Sequence, residues 1–142
     1  EEYFYFVGEL RNFSKKQVDD FLTDFEDLFN NEILGGKKYI RDLSKGNQKK
    51  VGIVAALIGD PKVIVLDEPF ANLDPTTQIR LKKIIKNLSK KEDVTVLVSS
   101  HDLQDVTEVS DRIVLLEKGL IIKDIKKTTK TLKDLESYFT KE

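Results

Sequence analysis

Cysteine is absent from this 142-residue chain, and so are methionine and tryptophan. The lack of cysteine excludes disulfides and thiolate metal sites, and it fits a cytoplasmic protein. No apolar run approaches the roughly 20 residues that a membrane-spanning helix needs. The 24 basic and 25 acidic residues leave a net charge of -1. Because nucleic-acid-binding domains are usually clearly basic, we expect no nucleic-acid partner.

Two further absences concern the start of the chain and its motifs. The chain has no methionine and begins at Glu1, so we expect that other residues precede it in the natural protein. It also contains no G-x-x-x-x-G-K-[S/T] sequence, the loop whose backbone cradles phosphates in many nucleotide-binding proteins. If these 142 residues bind a nucleotide, other residues must contact its phosphates.

The apolar pattern divides the chain into two parts. Residues 1–60 have helical periodicity, which predicts a helical subdomain. Its first helix, over residues 2–12, has the apolar positions Tyr3, Phe6, Val7 and Leu10. Residues 61–142 alternate strands with helices, which favours a parallel sheet and an α/β fold. The β-branched runs 63–66 and 94–98 predict strands that are buried on both faces.

An acidic pair, Asp67 and Glu68, directly follows the first predicted strand. Ligands bind at the carboxyl ends of strands in α/β folds, so this position is a candidate site. Asp67 could hold Mg²⁺, which prefers a few carboxylates together with phosphates. Glu68 could orient or deprotonate a water molecule. The alternative is that Asp67, Glu68 and Pro69 form only a polar turn.

A second candidate site begins at Ser44, where a helix is predicted to start. Free backbone N–H groups at a helix N-terminus attract anions. Gly46 would allow a phosphate to approach the backbone closely, and Gln48 adds a side-chain donor. The alternative is that Ser44 is only an N-cap residue, a position that serine favours in any case.

Two more residues carry polar side chains at predicted element ends. His101 is the only histidine and directly follows the second predicted strand, at the same sheet edge as Asp67. There it could donate a hydrogen bond to a phosphate oxygen, although a lone histidine is more often structural. Asp74 precedes Pro75, and this pair predicts the start of a helix.

The order of these motifs resembles that of the ATP-binding cassette (ABC) ATPases, and the resemblance covers nearly the whole chain. The matching segments are the signature-like L-S-K-G-N-Q at 43–48, the Walker B-like V-I-V-L-D-E-P at 63–69, the D-loop-like A-N-L-D at 71–74 and the switch-like S-S-H at 99–101. The resemblance implies a partial P-loop NTPase (RecA-like) parallel sheet. An N-terminal helical, signature-bearing subdomain would occupy 1–60, and the C-terminal part of the ATPase core would occupy 61–142.

The family pattern also implies a role for each matching residue. Asp67 would hold Mg²⁺, Glu68 would act as the general base, and His101 would contact the γ-phosphate of ATP. In this family two nucleotide-binding domains enclose the ATP between them. Ser44, Gly46 and Gln48 would therefore contact a γ-phosphate bound by a partner domain, and Asp74 would line the interface between the two domains.

The sequence departs from the family pattern in two ways. Lys45 stands where the commonest signature has glycine, and it would add charge near a phosphate. The Walker A loop and the glutamine loop are absent from the 142 residues. We therefore expect a C-terminal fragment that hydrolyses little ATP alone. A strand edge would also be left open to pairing.

The resemblance implies an ATP-hydrolysing subunit of an ABC transporter, with ATP and Mg²⁺ as ligands. Its expected partners are a second nucleotide-binding domain and a membrane permease, which would place it in the cytoplasm on the inner face of the membrane. One alternative is a non-catalytic module that dimerises or supplies a signature to a partner. Another is a soluble ABC-type ATPase of translation or DNA repair.

Overall fold

The computed structural model describes residues 1–140 as seven α-helices and four strands, with one short 3-10 turn at Ile40–Asp42. The helices are α1 (Glu2–Leu10), α2 (Lys15–Thr23), α3 (Glu26–Phe29), α4 (Lys45–Leu57), α5 (Pro75–Leu88), α6 (Leu103–Val109) and α7 (Thr131–Phe139). The strands are β1 (Val63–Asp67), β2 (Thr95–Ser99), β3 (Arg112–Glu117) and β4 (Leu120–Lys126). No helix within residues 1–140 is long and apolar enough to cross a membrane.

Helix α1 packs through a different face from the one that the sequence predicts. Phe4 and Gly8 are buried, whereas Tyr3, Phe6 and Leu10 are exposed. The reason is a close crossing with α2, because a Cβ atom added at Gly8 would lie 2.3 Å from Cγ2 of Val18. The glycine therefore sets which face of α1 turns inward, and this choice cannot be read from apolar periodicity.

One hydrophobic core runs through both predicted parts of the chain. It extends from Phe4 in α1 through Val54 in α4 and Ile64 in β1 to Val109 in α6. Helix α4 is central to it, with the buried residues Val51, Ile53, Val54, Ala55 and Leu57. The division at residue 60 stays a prediction, and the core is continuous across it.

Strands β1 and β2 form a two-stranded parallel sheet, which pairs Val63 with Thr95 and Asp67 with Ser99. The prediction that both faces are buried is wrong. Ile64 and Leu66 face the core, whereas Val65 and Leu97 point outward with 65% and 61% of their surface exposed. Within residues 1–140 the core lies on one side of this sheet only. Its other face is an apolar surface of Val63, Val65 and Leu97.

The C-terminal part continues with a hairpin and a helix. Strands β3 and β4 pair antiparallel, with a register shift between Leu115 and Leu116. Arg112 Nε donates to Asp124 Oδ1 at 2.7 Å across the pair. Helix α7 contacts α6 and buries Leu135. The hairpin thus forms a second small sheet, separate from the β1–β2 sheet.

Candidate active site

The polar site begins where the two parallel strands end side by side. Asp67 and Ser99 are register partners, and Ser99 Oγ donates to Asp67 Oδ1 at 2.5 Å. Because the two strands run parallel, their carboxyl ends lie at the same edge of the sheet. This confirms the sequence argument that Asp67 and the residues after β2 meet.

Glu68 is the residue most tightly fixed at this edge. Its backbone has φ +46°, in the left-handed region that residues other than glycine rarely adopt. Its N–H donates to Ser99 O at 3.2 Å and to Ser99 Oγ at 3.0 Å. Its Oε1 accepts a hydrogen bond from the backbone N–H of His101 at 3.1 Å. The side chain is therefore turned toward the segment that follows β2.

The imidazole of His101 completes a pair with Glu68. Nδ1 lies 2.9 Å from Glu68 Oε1, which places a donor proton on Nδ1. The hydrogen bond to the Glu68 carboxylate, together with its negative charge, raises the pKa of His101 above the ordinary value of 6.5. His101 is 84% exposed and Glu68 36%, so the pair faces solvent and is accessible to a ligand.

Lys49 is a site residue that the sequence analysis missed. From α4 its Nζ donates to Glu68 O at 2.6 Å and to Ala71 O at 2.8 Å. Helical spacing predicts only that Lys49, three residues after Gly46, shares its face of α4. It does not predict the two distant carbonyls that Lys49 binds. Gly46 in turn lies against the 71–74 segment, since a Cβ atom added there would meet Asn72 O at 3.1 Å.

The second candidate site is the start of α4. Ser44 is the N-cap, as predicted, and its Oγ accepts from Asn47 N at 3.2 Å. The side chain of Gln48 turns back toward the preceding loop, where Nε2 donates to Leu43 O at 2.9 Å and to Arg41 O at 3.2 Å. Gln48 therefore shapes the loop before the helix in this arrangement.

Asp74 caps α5 and lies across a cleft from Ser44. Its carboxylate accepts from Thr77 N at 3.0 Å and from Thr77 Oγ1 at 2.5 Å. These hydrogen bonds lower the pKa of Asp74 below its ordinary 3.8. The cleft measures about 760 Å³, and Lys45, Gly46, Asn47, Lys50 and Arg80 are among the residues that line it.

The structure thus assembles the predicted residues into two groups. Asp67, Glu68 and His101 share the edge of the β1–β2 sheet. Ser44, Gly46 and Asp74 share the cleft between α4 and α5. Lys49 connects the groups, because it belongs to α4 and binds the carbonyl of Glu68. Gln48 belongs to neither group, because its side-chain amide donates to the 41–43 loop.

The acidic edge alone is not a complete metal site. Within residues 1–140 no group of three His, Cys, Asp or Glu side chains is arranged to hold a metal ion. In the same part of the chain Asp67 Oδ2 has no hydrogen bond. A free carboxylate oxygen beside Ser99 suits Mg²⁺ that brings its own phosphate and water ligands.

Residues 7–104 match the family described as "AAA domain, putative AbiEii toxin, Type IV TA system". The chain belongs to this AAA-domain family. The match runs from the last part of α1 to the start of α6 and therefore includes both candidate sites.

Curated relatives confirm the resemblance to ABC ATPases. The chain is 35% identical over 113 residues to the energy-coupling factor transporter ATP-binding protein EcfA2 of Staphylococcus epidermidis, covering 78% of this chain and 39% of the relative. It is 36% identical over 116 residues to an ABC transporter ATP-binding protein of Methanocaldococcus jannaschii, covering 80% and 43%. The matches therefore cover less than half the length of each of these relatives.

A solved structure supports the same fold. The chain resembles the ATP-binding cassette MJ0796 in a dimeric post-hydrolysis state bound to ADP and Pi, with a TM-score of 0.67 and 25% identity. The match covers 80% of this chain and 48% of that cassette. This likeness confirms the predicted α/β fold as part of a P-loop NTPase.

Proposed function

We propose that this chain belongs to the ATP-binding subunit of an ABC transporter and carries the groups that hydrolyse ATP. The observation that carries the proposal is the Glu68–His101 pair beside Asp67 at the end of two parallel strands. The relatives named as ABC transporter ATP-binding proteins support it. The family description also names a toxin, but the ordered motifs and these relatives favour transport.

Glu68 has the chemistry of a general base in this proposal. Oε1 is held by His101, and within residues 1–140 Oε2 accepts no hydrogen bond. Oε2 can therefore accept a proton from a water molecule that attacks the γ-phosphate. Because Nδ1–H faces Glu68, a doubly protonated His101 would donate its Nε2–H to a γ-phosphate oxygen and so stabilise negative charge there. The Glu68–His101 contact would hold the carboxylate and the imidazole in fixed positions next to each other.

Asp67 would hold Mg²⁺ through the oxygen that Ser99 does not occupy. Mg²⁺ supplies charge neutralisation for the phosphates of ATP when it is bound. Ser99 orients the Asp67 carboxylate, and the register of β1 and β2 fixes Ser99. Because the 142 residues contain no phosphate-cradling loop, we infer that other residues of the intact protein hold the remaining phosphates.

The α4 surface would serve a second nucleotide. Ser44 and Gly46 present the N-terminus of a 13-residue helix, where free N–H groups favour a phosphate. Lys45 lies at the same cleft and would add positive charge. Gln48 would support this surface through its hydrogen bonds to the 41–43 loop. Its side-chain amide would donate to a phosphate only if these hydrogen bonds were broken. Asp74 would face the partner domain across the cleft.

The proposed partners follow from the same reasoning. A signature surface and a catalytic edge on one chain are suited to a pair of nucleotide-binding domains that enclose ATP between them. A membrane permease would be the second partner. The subunit would then work on the cytoplasmic face of the membrane.

The first test is ATP hydrolysis by the full-length product of the gene that encodes this chain. We expect hydrolysis that requires Mg²⁺ and is lost with EDTA. We expect residues 1–142 alone to hydrolyse negligibly. A purified full-length product without Mg²⁺-dependent hydrolysis would contradict the proposal.

A sharper test asks whether the signature serves the partner's ATP. Ser44→Asp keeps a good N-cap but repels phosphate, and Glu68→Gln removes the base. Each variant alone should be inactive. Mixed in equal amounts, they should recover about a quarter of the wild-type rate, because half of the dimers are mixed and each mixed dimer holds one intact site. No recovery would contradict the shared site.

A non-catalytic interaction module is a second candidate. The exposed apolar face of Val63, Val65 and Leu97 favours it, because such patches mark interaction surfaces. This function predicts that the chain associates with a Walker A-bearing partner in the presence of ATP. Absence of association, measured by light scattering with and without ATP, would count against it.

A further inference from the structure

Lys49 reaches from one candidate site to the backbone of the other. It lies on α4, five residues after the N-cap Ser44, and its Nζ is 2.6 Å from Glu68 O and 2.8 Å from Ala71 O. The side chain is partly buried, so its charge is directed at these two carbonyls. Two short hydrogen bonds from an ammonium group are stronger than neutral ones.

The carbonyls that Lys49 binds belong to one tight turn. Ala71 N donates to Glu68 O at 3.3 Å, which closes the turn around Pro69 and Phe70. Glu68 enters this turn with φ +46°. A residue other than glycine persists in that region only when its surroundings hold it there. Lys49, the N–H bonds to Ser99 and the turn bond from Ala71 N hold the Glu68 backbone, and Lys49 is the side chain that binds its carbonyl.

We propose that Lys49 is a positioning residue that sets the Glu68 carboxylate for ATP hydrolysis and ties it to the signature helix. This inference rests on the proposed function of Glu68. Lys49 is placed to bind backbone and not the nucleotide, so it acts through Glu68. Loss of its donors would leave the 68–71 turn free to relax. The carboxylate would then move away from His101.

His101 provides a readout that does not need hydrolysis. It is the only histidine in the chain, so its ring signals in NMR spectra are unambiguous within residues 1–142. Its pKa is raised mainly by the hydrogen bond to Glu68. Lys49→Met keeps the chain length but removes all donors, and we expect it to lower the pKa of His101 toward the ordinary 6.5.

Two further variants make the titration decisive. Lys49→Arg keeps donors for both carbonyls and should retain the raised pKa. Lys83→Met removes an exposed lysine from α5 and should titrate like the wild type. A Lys49→Met protein that is folded by circular dichroism and titrates like the wild type would overturn the inference. So would a failure of Lys49→Arg to retain the wild-type titration.

A second test measures kcat and KM for ATP hydrolysis by the full-length gene product. We expect Lys49→Met to lower kcat at least about tenfold with KM changed less than about twofold, because small displacements of a catalytic group mainly slow the chemical step. Lys49→Arg should recover most of kcat. An unchanged kcat in Lys49→Met would overturn the positioning role. If the wild type itself hydrolyses no ATP, the proposed function fails and the titration still decides whether Lys49 positions Glu68.

Discussion

Glu68 Oε1 lies 2.9 Å from Nδ1 of His101, across the ends of two parallel strands that are paired in register. The contact is a hydrogen bond and an opposite-charge pair when His101 is protonated. It joins the proposed general base to the residue that we propose contacts the phosphate. The prediction that these two residues lie at one sheet edge is confirmed, whereas their chemical roles stay proposals.

The first prediction concerns the titration of His101. Its folded pKa is raised above 6.5, so the contact contributes stability below pH 6.5 that is lost as the pH rises through the folded pKa. Glu68→Gln should lower the pKa of His101 and remove this part of the pH dependence. NMR titration of the ring, with Glu92→Gln as an exposed control, measures it. A His101 pKa that does not change in Glu68→Gln would contradict the contact.

Asp74 provides a prediction at acidic pH. Hydrogen bonds from Thr77 lower its pKa below 3.8, so the cap contributes stability above pH 3.8 that is lost as the pH falls through the lower folded pKa. Asp74→Asn should therefore flatten the acid limb of a urea-unfolding profile. Asp20→Asn, an exposed change on α2, is the control. Equal acid limbs for Asp74→Asn and the wild type would contradict this.

Two helical glycines should respond to alanine in opposite ways. At Gly8 the new methyl would lie 2.3 Å from Val18 Cγ2 in a fully buried contact, so Gly8→Ala should destabilise by about 1–3 kcal/mol. At Gly52 an added Cβ atom would meet no atom within 4 Å outside its own helix backbone, so Gly52→Ala should stabilise by up to about 1 kcal/mol through helix propensity. Chemical denaturation measures both.

A substitution at Val18 tests whether its side chain causes the destabilisation by Gly8→Ala. In a Val18→Ala background the obstructing methyl is gone, so Gly8→Ala should no longer be destabilising there. An equal penalty for Gly8→Ala in both backgrounds would show that the α1–α2 crossing is not set by this contact.

The open face of the β1–β2 sheet predicts self-association of the isolated chain. Val63, Val65 and Leu97 form an apolar surface, and such surfaces associate in water. Val65→Lys should shift residues 1–142 toward monomer in sedimentation velocity. Val114→Lys, an exposed valine of the hairpin, is the matched control. If Val65→Lys and Val114→Lys shift the chain toward monomer equally, the open face of the β1–β2 sheet does not cause the self-association.

Local chemistry explains what the sequence predicted well. Ser44 and Asp74 cap helices because the side chain and the backbone N–H that it binds are three residues apart. Asp67 lies beside the end of β2 because the two strands pair in parallel. The β-branched runs at 63–66 and 94–98 predict this pair of strands.

Long-range contacts explain what the sequence did not predict. The inward face of α1 depends on Val18, which approaches Gly8 only in the folded chain. The exposure of Val65 depends on which side of the sheet the helices cover. Lys49 binds carbonyls 19 and 22 residues away, a distance over which no sequence spacing specifies contact.

The central claim is that Glu68 is the base that activates water for ATP hydrolysis. It is tested most directly by the rate of the chemical step in a single turnover of the full-length gene product, with ATP and Mg²⁺ bound. We predict that Glu68→Gln slows this step about 100-fold or more, while ATP affinity stays close to that of the wild type. A Glu68→Gln protein that hydrolyses bound ATP at the wild-type rate would contradict it.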